Sequence, residues 1–195
     1  MDKNKKDKLK LMIGIVLCAA VMAVAYFAYS NLQNKAKPQL VTQDGDSFED
    51  DTSSGKETLT PAPDIEVEDA DGNLVKLSDF KGTPVIINLW ASWCPPCKSE
   101  MPLFDKKSKE YAGKIQFMMV NLTAQDEIST AKSFVAESGY TFPVFYDTNN
   151  DAGTKYYTPG IPATFFVNSK GEAVAYITGA INEETLEKGI EMIYK

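Results

Sequence analysis

Apolar and polar residues alternate in blocks along residues 61–195, and each block has the length of one structural element. Two runs, Val85–Ala91 and Ile115–Leu122, are almost continuously apolar, which predicts strands that are buried on both faces of a sheet. Between them, Cys94–Tyr111 has the length and composition of a helix, and Pro102 is expected to kink it. A strand, a helix and a second strand in this order predict a parallel βαβ unit.

The blocks on either side of this unit predict further strands and helices. Asp71-Gly72 separates two short strand-like segments as a hairpin turn does, and Ser169-Lys170-Gly171 separates another two. A last helix is expected to begin after Asn182, a good N-cap residue. The other predicted strands are Ile65–Glu68, Leu74–Lys76, Val144–Tyr146, Ala163–Asn168 and Ala173–Thr178, and a further helix is predicted over Ile128–Ser138. This order predicts an α/β sandwich with a mixed central sheet.

The N-terminal end has a different pattern, that of a membrane anchor. The first ten residues carry five lysines and two aspartates, and Leu11–Tyr29 then contains no charged residue. As a helix at ~1.5 Å per residue this run is roughly 28 Å long, close to the ~30 Å of a bilayer core. Because the lysines precede the apolar run and acidic residues follow it, we expect a cytoplasmic N-terminus and an exported domain.

Two alternatives to an uncleaved anchor remain open from the sequence. Ala23-Val24-Ala25 and Ala28-Tyr29-Ser30 both resemble the small-x-small sites at which signal peptides are cleaved. A lipid-modified Cys18 is the other alternative. The signal for that modification asks for a small residue directly before the cysteine, and Leu17 is not small. The length of the apolar run favours the uncleaved anchor.

Between the anchor and the folded part, the segment 31–60 is rich in acidic and small polar residues and has no apolar period. Such a composition predicts a disordered tether. The predicted organisation is therefore a Lys-rich end and anchor over 1–30, an acidic tether over 31–60 and one domain over 61–195.

The composition excludes several kinds of chemistry. The chain has no histidine, which excludes His-containing catalytic triads and His-ligated metals within it. Its net charge is −7, whereas a nucleic-acid-binding surface needs clustered basic residues. We therefore expect no nucleic-acid partner.

The motif Cys94-Pro95-Pro96-Cys97 directly follows a predicted strand and begins a predicted helix. At a helix N-terminus, unpaired backbone N–H groups and the helix dipole favour a thiolate, so Cys94 is the expected nucleophile. Cys97, one turn later, is close enough to form a disulfide with it. A zinc site needs about four ligands, and a structural disulfide that closes so short a loop adds little stability. The motif therefore predicts thiol–disulfide exchange without a metal or cofactor.

The segment from Val85 to Lys98, with its Cys-Pro-Pro-Cys motif, resembles the active-site segment of the thioredoxin superfamily. The fuller match, over about residues 61–195, is to its membrane-anchored, extracytoplasmic TlpA/ResA-like branch, and Ala124–Tyr146 resembles the central insertion of that branch. The resemblance implies a thioredoxin-like sandwich with a mixed central sheet, an N-terminal hairpin and a central helix–strand insertion.

The resemblance also implies a set of residues that contact the substrate. The segment from Gly160 to Phe165 resembles the loop that carries a cis-proline opposite the cysteines, which implies a cis bond at Pro162, although only ~5–6% of X-Pro bonds in folded proteins are cis. The backbone of Ile161 would then pair with an extended substrate. We expect Trp93 beside the cysteines, and Pro95 and Pro96 between them, to contact the substrate too.

Glu100 follows Cys97 by three residues and lies on the same side of the predicted helix. Alone, this position predicts a solvent-facing carboxylate. In ResA-like proteins, however, a glutamate at this spacing lies near the cysteines, and a carboxylate with a raised pKa can accept a thiol proton. Asn88 stands where cytosolic thioredoxins have an aspartate, and its amide cannot take that role. ResA-like proteins often have a glutamate in place of Pro95, so their redox potential cannot be transferred to this chain.

These features together predict a membrane-tethered, extracytoplasmic thiol–disulfide oxidoreductase of a bacterial cell. The resemblance implies that it reduces disulfides of exported proteins such as apocytochrome c, with electrons from a membrane thiol carrier. Two alternatives are a peroxiredoxin-like thiol peroxidase, which shares the insertion and the Pro61–Asp64 entry, and a redox-switched binding module that is not an enzyme.

Overall fold

In a computed structural model, which describes residues 20–27, 41–42 and 59–194, eight strands pair into one mixed sheet. The strands are β1 (Val41–Thr42), β2 (Glu66–Glu68), β3 (Leu74–Lys76), β4 (Val85–Trp90), β5 (Gln116–Asn121), β6 (Val144–Tyr146), β7 (Ala163–Val167) and β8 (Ala173–Thr178). The helices are α1 (residues 20–27), α2 (Pro95–Glu110), α3 (Ile128–Ser138), α4 (Asp151–Lys155) and α5 (Glu183–Ile193). Short 3-10 turns span Leu77–Phe80 and Thr123–Gln125.

The sheet has the strand order β1-β8-β7-β4-β5-β6-β2-β3, so β4 lies in its interior. All six residues of β4 are buried, as its apolar sequence predicts. It pairs in parallel with β5 and antiparallel with β7, in a register that sets Asn88 opposite Thr164. The predicted mixed sheet is confirmed, and this pairing brings the start of α2 beside the start of β7.

The sheet has an apolar core on each face. Because strand side chains alternate between faces, Ile86 and Trp90 of β4 belong to one core and Ile87 and Leu89 to the other. The first core packs against α2, α3 and α5, and the second against α4 and the segment that precedes β2. α5 lies very close to the sheet at Gly189, because a Cβ atom there would lie 2.2 Å from the Phe166 ring.

The predicted strands and helices occur with ends that shift by at most one residue. The predicted hairpin is confirmed, and the Asp69 carboxylate accepts hydrogen bonds from the backbone N–H groups of Asp71 and Asn73 in its turn. The inserted strand β6 pairs with β5 and β2, so the insertion widens the sheet. α2 runs through Pro102 as one helix, and the kink expected there stays a prediction.

Two elements were not predicted. α4 spans only five residues, too few for a helical period to be visible in the sequence. β1 lies within the segment 31–60, expected to be a disordered tether, and it extends the sheet by pairing with β8. A strand of two residues has no alternation that a sequence pattern can reveal. Residues 31–40 and 43–58 of the predicted tether lie outside the described residues.

The predicted anchor over residues 11–29 is described only in part. Residues 20–27 form α1 and are exposed, whereas residues 11–19, which include Cys18, and residues 28–29 lie outside the described residues. Among the helices that the structure describes, none is both long enough and apolar enough to cross a membrane.

Candidate active site

The two cysteines lie where β4 leads into α2. β4 ends at Trp90, and Cys94 is the N-cap of α2, with Pro95 and Pro96 in the first two helical positions. These first positions suit proline because their N–H groups have no partner within the helix. The sulfur atoms of Cys94 and Cys97 are joined in a disulfide, and the backbone N–H of Cys97 points at Cys94 Sγ over 3.2 Å. The sequence therefore folds so that a helix N-terminus faces the first sulfur.

The disulfide is largely covered, and an aromatic side chain stands at its rim. Cys94 is 2% exposed and Cys97 fully buried, whereas Pro95 and Pro96 are exposed. Trp93 is 55% exposed, although its Nε1 donates a hydrogen bond of 2.7 Å to the Gln125 carbonyl oxygen. This bond holds the indole in place while leaving most of its surface free for contact.

The loop before β7 lies against the cysteines, as the resemblance implied. The Ile161–Pro162 bond is cis, and the Ile161 carbonyl oxygen lies 3.8 Å from Cys94 Sγ. Pro162 is buried, and its carbonyl accepts a hydrogen bond of 2.8 Å from the Gly179 N–H. Ile161 is half-buried, and its carbonyl oxygen lies beside Cys94 at the rim of the site.

Glu100 is buried, with 3% of its surface exposed, and the solvent-facing position that its spacing alone predicts is wrong. One carboxylate oxygen, Oε1, accepts from Asn88 Nδ2 at 2.8 Å, and Oε2 accepts from the Ile181 N–H at 2.7 Å. Burial raises the pKa of Glu100 to about 7, although both hydrogen bonds act to lower it. A group with this pKa exchanges protons at neutral pH.

Two polar contacts near the site involve residues that no sequence pattern marks as functional, Thr164 and Asp126. Thr164 Oγ1 accepts a hydrogen bond of 3.0 Å from Asn88 Nδ2, and the polar residue in an otherwise apolar strand was a signal for such a partner. The Asp126 carboxylate accepts from both Ser92 N and Ser92 Oγ at 2.6 Å and from Asn121 Nδ2 at 2.7 Å. Asp126 thereby fixes the turn before the cysteine pair, and no spacing rule relates it to that turn.

The arrangement combines a disulfide at a helix N-terminus with a buried carboxyl group whose pKa is raised to about 7. Cys94 and Cys97 can exchange two electrons by forming and breaking their disulfide, and the helix N-terminus favours a thiolate at Cys94. Glu100, one turn after Cys97, supplies the titratable group. Among the residues that the structure describes, no cluster of three or more Cys, Asp or Glu side chains is arranged to bind a metal ion.

Comparison with known proteins agrees with this chemistry. The pattern of the AhpC/TSA family matches residues 59–176. The thiol-disulfide oxidoreductase ResA of Bacillus subtilis (strain 168) is 31% identical over 144 residues, which cover 72% of this chain and 79% of ResA. The thioredoxin-like protein YneN of the same organism is 28% identical, over 94% of this chain and 98% of its own length.

Solved structures give the same result for the fold. StoA from Bacillus subtilis superposes with a TM-score of 0.58 at 27% identity, over 68% of this chain and 98% of StoA. A thiol:disulfide interchange protein of the thioredoxin family from Chlorobium tepidum TLS superposes with a TM-score of 0.62 at 25% identity, over 71% and 99% of the two chains. The chain therefore belongs to the AhpC/TSA family, and it is a thiol–disulfide oxidoreductase with a thioredoxin-like fold.

Proposed function

We propose that this protein is tethered to the bacterial cell membrane and reduces disulfides of exported proteins outside the cytoplasm. The observation that carries the exchange reaction in this proposal is the position of Cys94, at a helix N-terminus and 3.8 Å from the carbonyl oxygen before the cis-proline. There, an extended substrate pairs with the backbone of Ile161 and presents its own disulfide to Cys94.

The reaction has two exchange steps. The Cys94 thiolate attacks one sulfur of the substrate disulfide, which forms a mixed disulfide and releases the other substrate sulfur as a thiolate. Cys97 then loses its proton and attacks Cys94 Sγ, which releases the second substrate sulfur. The substrate gains two electrons and, from solvent, two protons, and the enzyme is left with the Cys94–Cys97 disulfide.

Glu100 accepts the proton of Cys97 in the second step. Cys97 is fully buried, so its thiol has no direct exchange with water, and burial disfavours its thiolate. Glu100 lies one turn further along α2, and its pKa of about 7 makes the carboxylate basic enough to take a proton at neutral pH. The chain has no histidine that could do so instead.

The relatives and the N-terminal sequence support the direction, the partners and the location that we propose. Relatives named ResA support a protein disulfide as substrate, and apocytochrome c is our candidate. An enzyme that reduces outside the cytoplasm needs electrons, for which we propose a membrane thiol carrier with its own cysteine pair. The lysines at positions 3–10 and the uncharged run Leu11–Tyr29 support a membrane tether with a cytoplasmic N-terminus.

Trapping of substrates tests the exchange reaction. Cys97→Ser removes the resolving thiol, so mixed disulfides on Cys94 should accumulate and be recovered with the protein under non-reducing conditions. Cys94→Ser is the matched control, because it keeps Cys97 but removes the nucleophile. If Cys97→Ser recovers no more disulfide-linked protein than Cys94→Ser does, the proposal is wrong.

Two further measurements test the direction and the location. The Cys94–Cys97 couple should have a reduction potential near that of thioredoxin, about −270 mV, and a value near the −120 mV or so of an oxidant would reverse the direction. The full-length chain should stay with washed membranes, and recovery of a shortened chain in the soluble fraction would indicate cleavage after the apolar run.

The two alternatives give different results in simple assays. A thiol peroxidase would consume peroxide with a thiol donor, whereas we expect no turnover above the rate of the Cys94→Ser variant. A redox-switched binding module would reduce insulin disulfides no faster than that variant, whereas we expect catalytic turnover. The placement of both cysteines in one helical turn supports disulfide exchange over either alternative.

A further inference from the structure

Asn88 has an unpartnered oxygen beside the proton acceptor of the site. Its side chain is fully buried on β4, and both hydrogens of Nδ2 are used, one donated to Glu100 Oε1 at 2.8 Å and one to Thr164 Oγ1 at 3.0 Å. Among the described residues, however, no group donates to Asn88 Oδ1, which is buried too. A buried acceptor without a partner is costly, so a sequence that keeps one calls for an explanation.

The two oxygens of Glu100 differ in what they can accept. Oε2 receives the backbone N–H of Ile181, a donor that is fixed in place and cannot accept a proton in return. A proton that Glu100 takes up therefore has its place on Oε1, the oxygen that faces Asn88. With Nδ2 turned towards it, this O–H would meet another donor instead of an acceptor.

We propose that Asn88 is a positioning residue that serves both protonation states of Glu100. Asn88 donates to the carboxylate through Nδ2, and after a half-turn of its amide it accepts from the carboxylic acid through Oδ1. Thr164 follows the change, because its hydroxyl accepts from Nδ2 in one state and donates to Oδ1 in the other. This inference rests on the role of Glu100 in the proposed function and assigns the residue that makes that role reversible.

The two states are nearly balanced in hydrogen bonds. With Glu100 ionised, both Nδ2 hydrogens are paired and Oδ1 is not. With Glu100 protonated and the amide turned, both lone pairs of Oδ1 are used and the Nδ2 hydrogens are not. Asn88 thus opposes neither gain nor loss of the proton. An aspartate at this position has no donor for the carboxylate and would add a second negative charge.

The surroundings contain few other titratable groups that face this pair. At the start of α2 these are Cys94 and Cys97 in their reduced form. The neighbouring residue on β4, Asn88, and the one on β7, Thr164, are both neutral. In the segment before α5, the Ile181 N–H donates to Glu100 Oε2. On α5, Glu183 pairs with Lys106, Glu187 with Lys107 and Glu184 with Lys188. Glu100 is therefore the member of the Glu100–Asn88–Thr164 group that ionises, and the other two respond through their hydrogen bonds.

Nuclear magnetic resonance on the full-length, disulfide-bonded chain in detergent tests the turn of the amide. At about pH 9, the Asn88 Nδ2 hydrogens should show nuclear Overhauser effects to the side-chain hydrogens of Glu100 and Thr164. As the pH is lowered, these effects should lose half of their intensity at the midpoint of the Glu100 titration and be absent at about pH 5. A nearby charge alone moves chemical shifts but not these distances. Effects that persist unchanged at low pH overturn the proposal.

The variant Glu100→Gln fixes one state and so provides a second test. The introduced side chain must turn its oxygen towards the Ile181 N–H, so its amide donates to Asn88, as the protonated acid does. The effects between Asn88 Nδ2 and Thr164 should then be absent at every pH. If they remain in this variant as in the ionised wild type, Asn88 does not turn and the proposal is wrong.

The pH profile of the resolving step gives a functional readout. Asn88→Asp should raise the pH midpoint of mixed-disulfide resolution by about one unit or more, because two adjacent carboxylates hold a proton tightly. Thr164→Ser keeps the hydroxyl and should leave the midpoint within about 0.3 units. An unchanged midpoint in Asn88→Asp would contradict the proposal. Because the resonance measurements need no substrate, a failure of the proposed function in the trapping experiment is distinguishable from a failure of this inference.

Discussion

Besides Cys97, the helix α2 carries two buried side chains that can be charged, one acidic and one basic, and their surroundings differ. Glu100 is 3% exposed and Lys107 is 4% exposed, and the two lie two turns apart on the same helix. Glu100 stands near the cysteines, where its two oxygens accept hydrogen bonds from neutral N–H groups, Asn88 Nδ2 and Ile181 N. Lys107 stands near the other end of α2, where its ammonium group contacts carboxylates of α2 and α5.

The charge of the partners decides what burial does to each group. For Glu100, burial without a cation raises the pKa to about 7, so the carboxyl group gains and loses a proton at neutral pH. For Lys107, hydrogen bonds to Glu187, Glu110 and Glu183 outweigh the effect of burial and raise the pKa, so the ammonium stays charged. One end of the helix is thus suited to proton transfer, and the other joins α2 to α5 by a permanent ion cluster.

The largest expected effect separates these roles by activity. Glu100→Gln should lower the rate of mixed-disulfide resolution by about 10²-fold or more, the usual size of a general-base effect. Lys107→Met should leave the rate within about twofold, because Lys107 pairs with carboxylates at the opposite end of α2 from the cysteines. Rapid-quench measurement of the resolving step at pH 7 checks both.

A matched control for this comparison is the rate of the first step. Attack by Cys94 on a substrate disulfide needs no proton acceptor once Cys94 is a thiolate, so Glu100→Gln should leave its rate nearly unchanged. An equal loss in both steps, or a loss in Lys107→Met as large as in Glu100→Gln, would contradict the division between a proton-transferring and a structural end of α2.

The second effect is on stability as a function of pH. The pKa of Glu100 is about 7 in the folded protein against an ordinary value of 4.5, so the folded state holds its proton more tightly than the unfolded state does. The free energy of unfolding should therefore fall by about 3 kcal/mol as the pH rises from 4.5 to 7, and then level off. In Glu100→Gln this decrease should be absent.

The difference between the wild-type and variant curves isolates Glu100 from the other carboxyl groups. Hydrogen bonds hold the pKa values of Asp69, Asp105 and Asp151 below their ordinary range, so their contribution to stability is lost as the pH falls. This opposite trend is common to both proteins and cancels in the difference. Urea unfolding of the disulfide-bonded wild type and variant measures this difference in the free energy of unfolding. A difference curve that is flat between pH 4.5 and 7 would show that Glu100 is not held in a protonated state.

The third effect concerns the ion cluster. Lys107→Met removes the shared cation and should lower the free energy of unfolding by about 1–3 kcal/mol, less than for a deeply buried pair, because its carboxylate partners are partly exposed and regain water. Lys106 is the matched control: it contacts the same Glu183 but is 61% exposed. Lys106→Met should cost less than about 0.5 kcal/mol. Equal losses for the two lysines would show that burial adds nothing here.

The same contrast explains how much could be predicted from the sequence. The two buried strands, the cysteine pair at the start of α2 and the N-cap Asn182 follow from local patterns, and the structure contains all of them. Glu100 required the resemblance to a family, because spacing along a helix does not tell whether a carboxylate faces water or a core. The partner of Asn88 depends on the register between β4 and β7, which is set by packing of the whole sheet.

The ion cluster could not be predicted for a related reason. Lysines recur along α2, and their pattern does not distinguish Lys107 from the exposed Lys106 or Lys109. What distinguishes Lys107 is the approach of α5, which brings Glu187 to it from 80 residues further along the chain. Local patterns thus predict which groups can ionise, and only the tertiary fold decides which of them are buried and beside what.

The smallest effect tests whether the cluster is redundant. Glu110→Gln removes the carboxylate that belongs to α2 itself, which is 49% exposed, and leaves Glu183 and Glu187 to hold Lys107. We expect a loss of less than about 0.5 kcal/mol, typical of an exposed pair three residues apart in a helix.

Glu187→Gln removes the partner supplied by α5 and should cost more, because it breaks the link between the two helices. Urea unfolding of both variants and of the double variant measures the coupling between them. A loss in Glu110→Gln as large as in Glu187→Gln would mean that the cluster stabilises α2 alone and does not join it to α5.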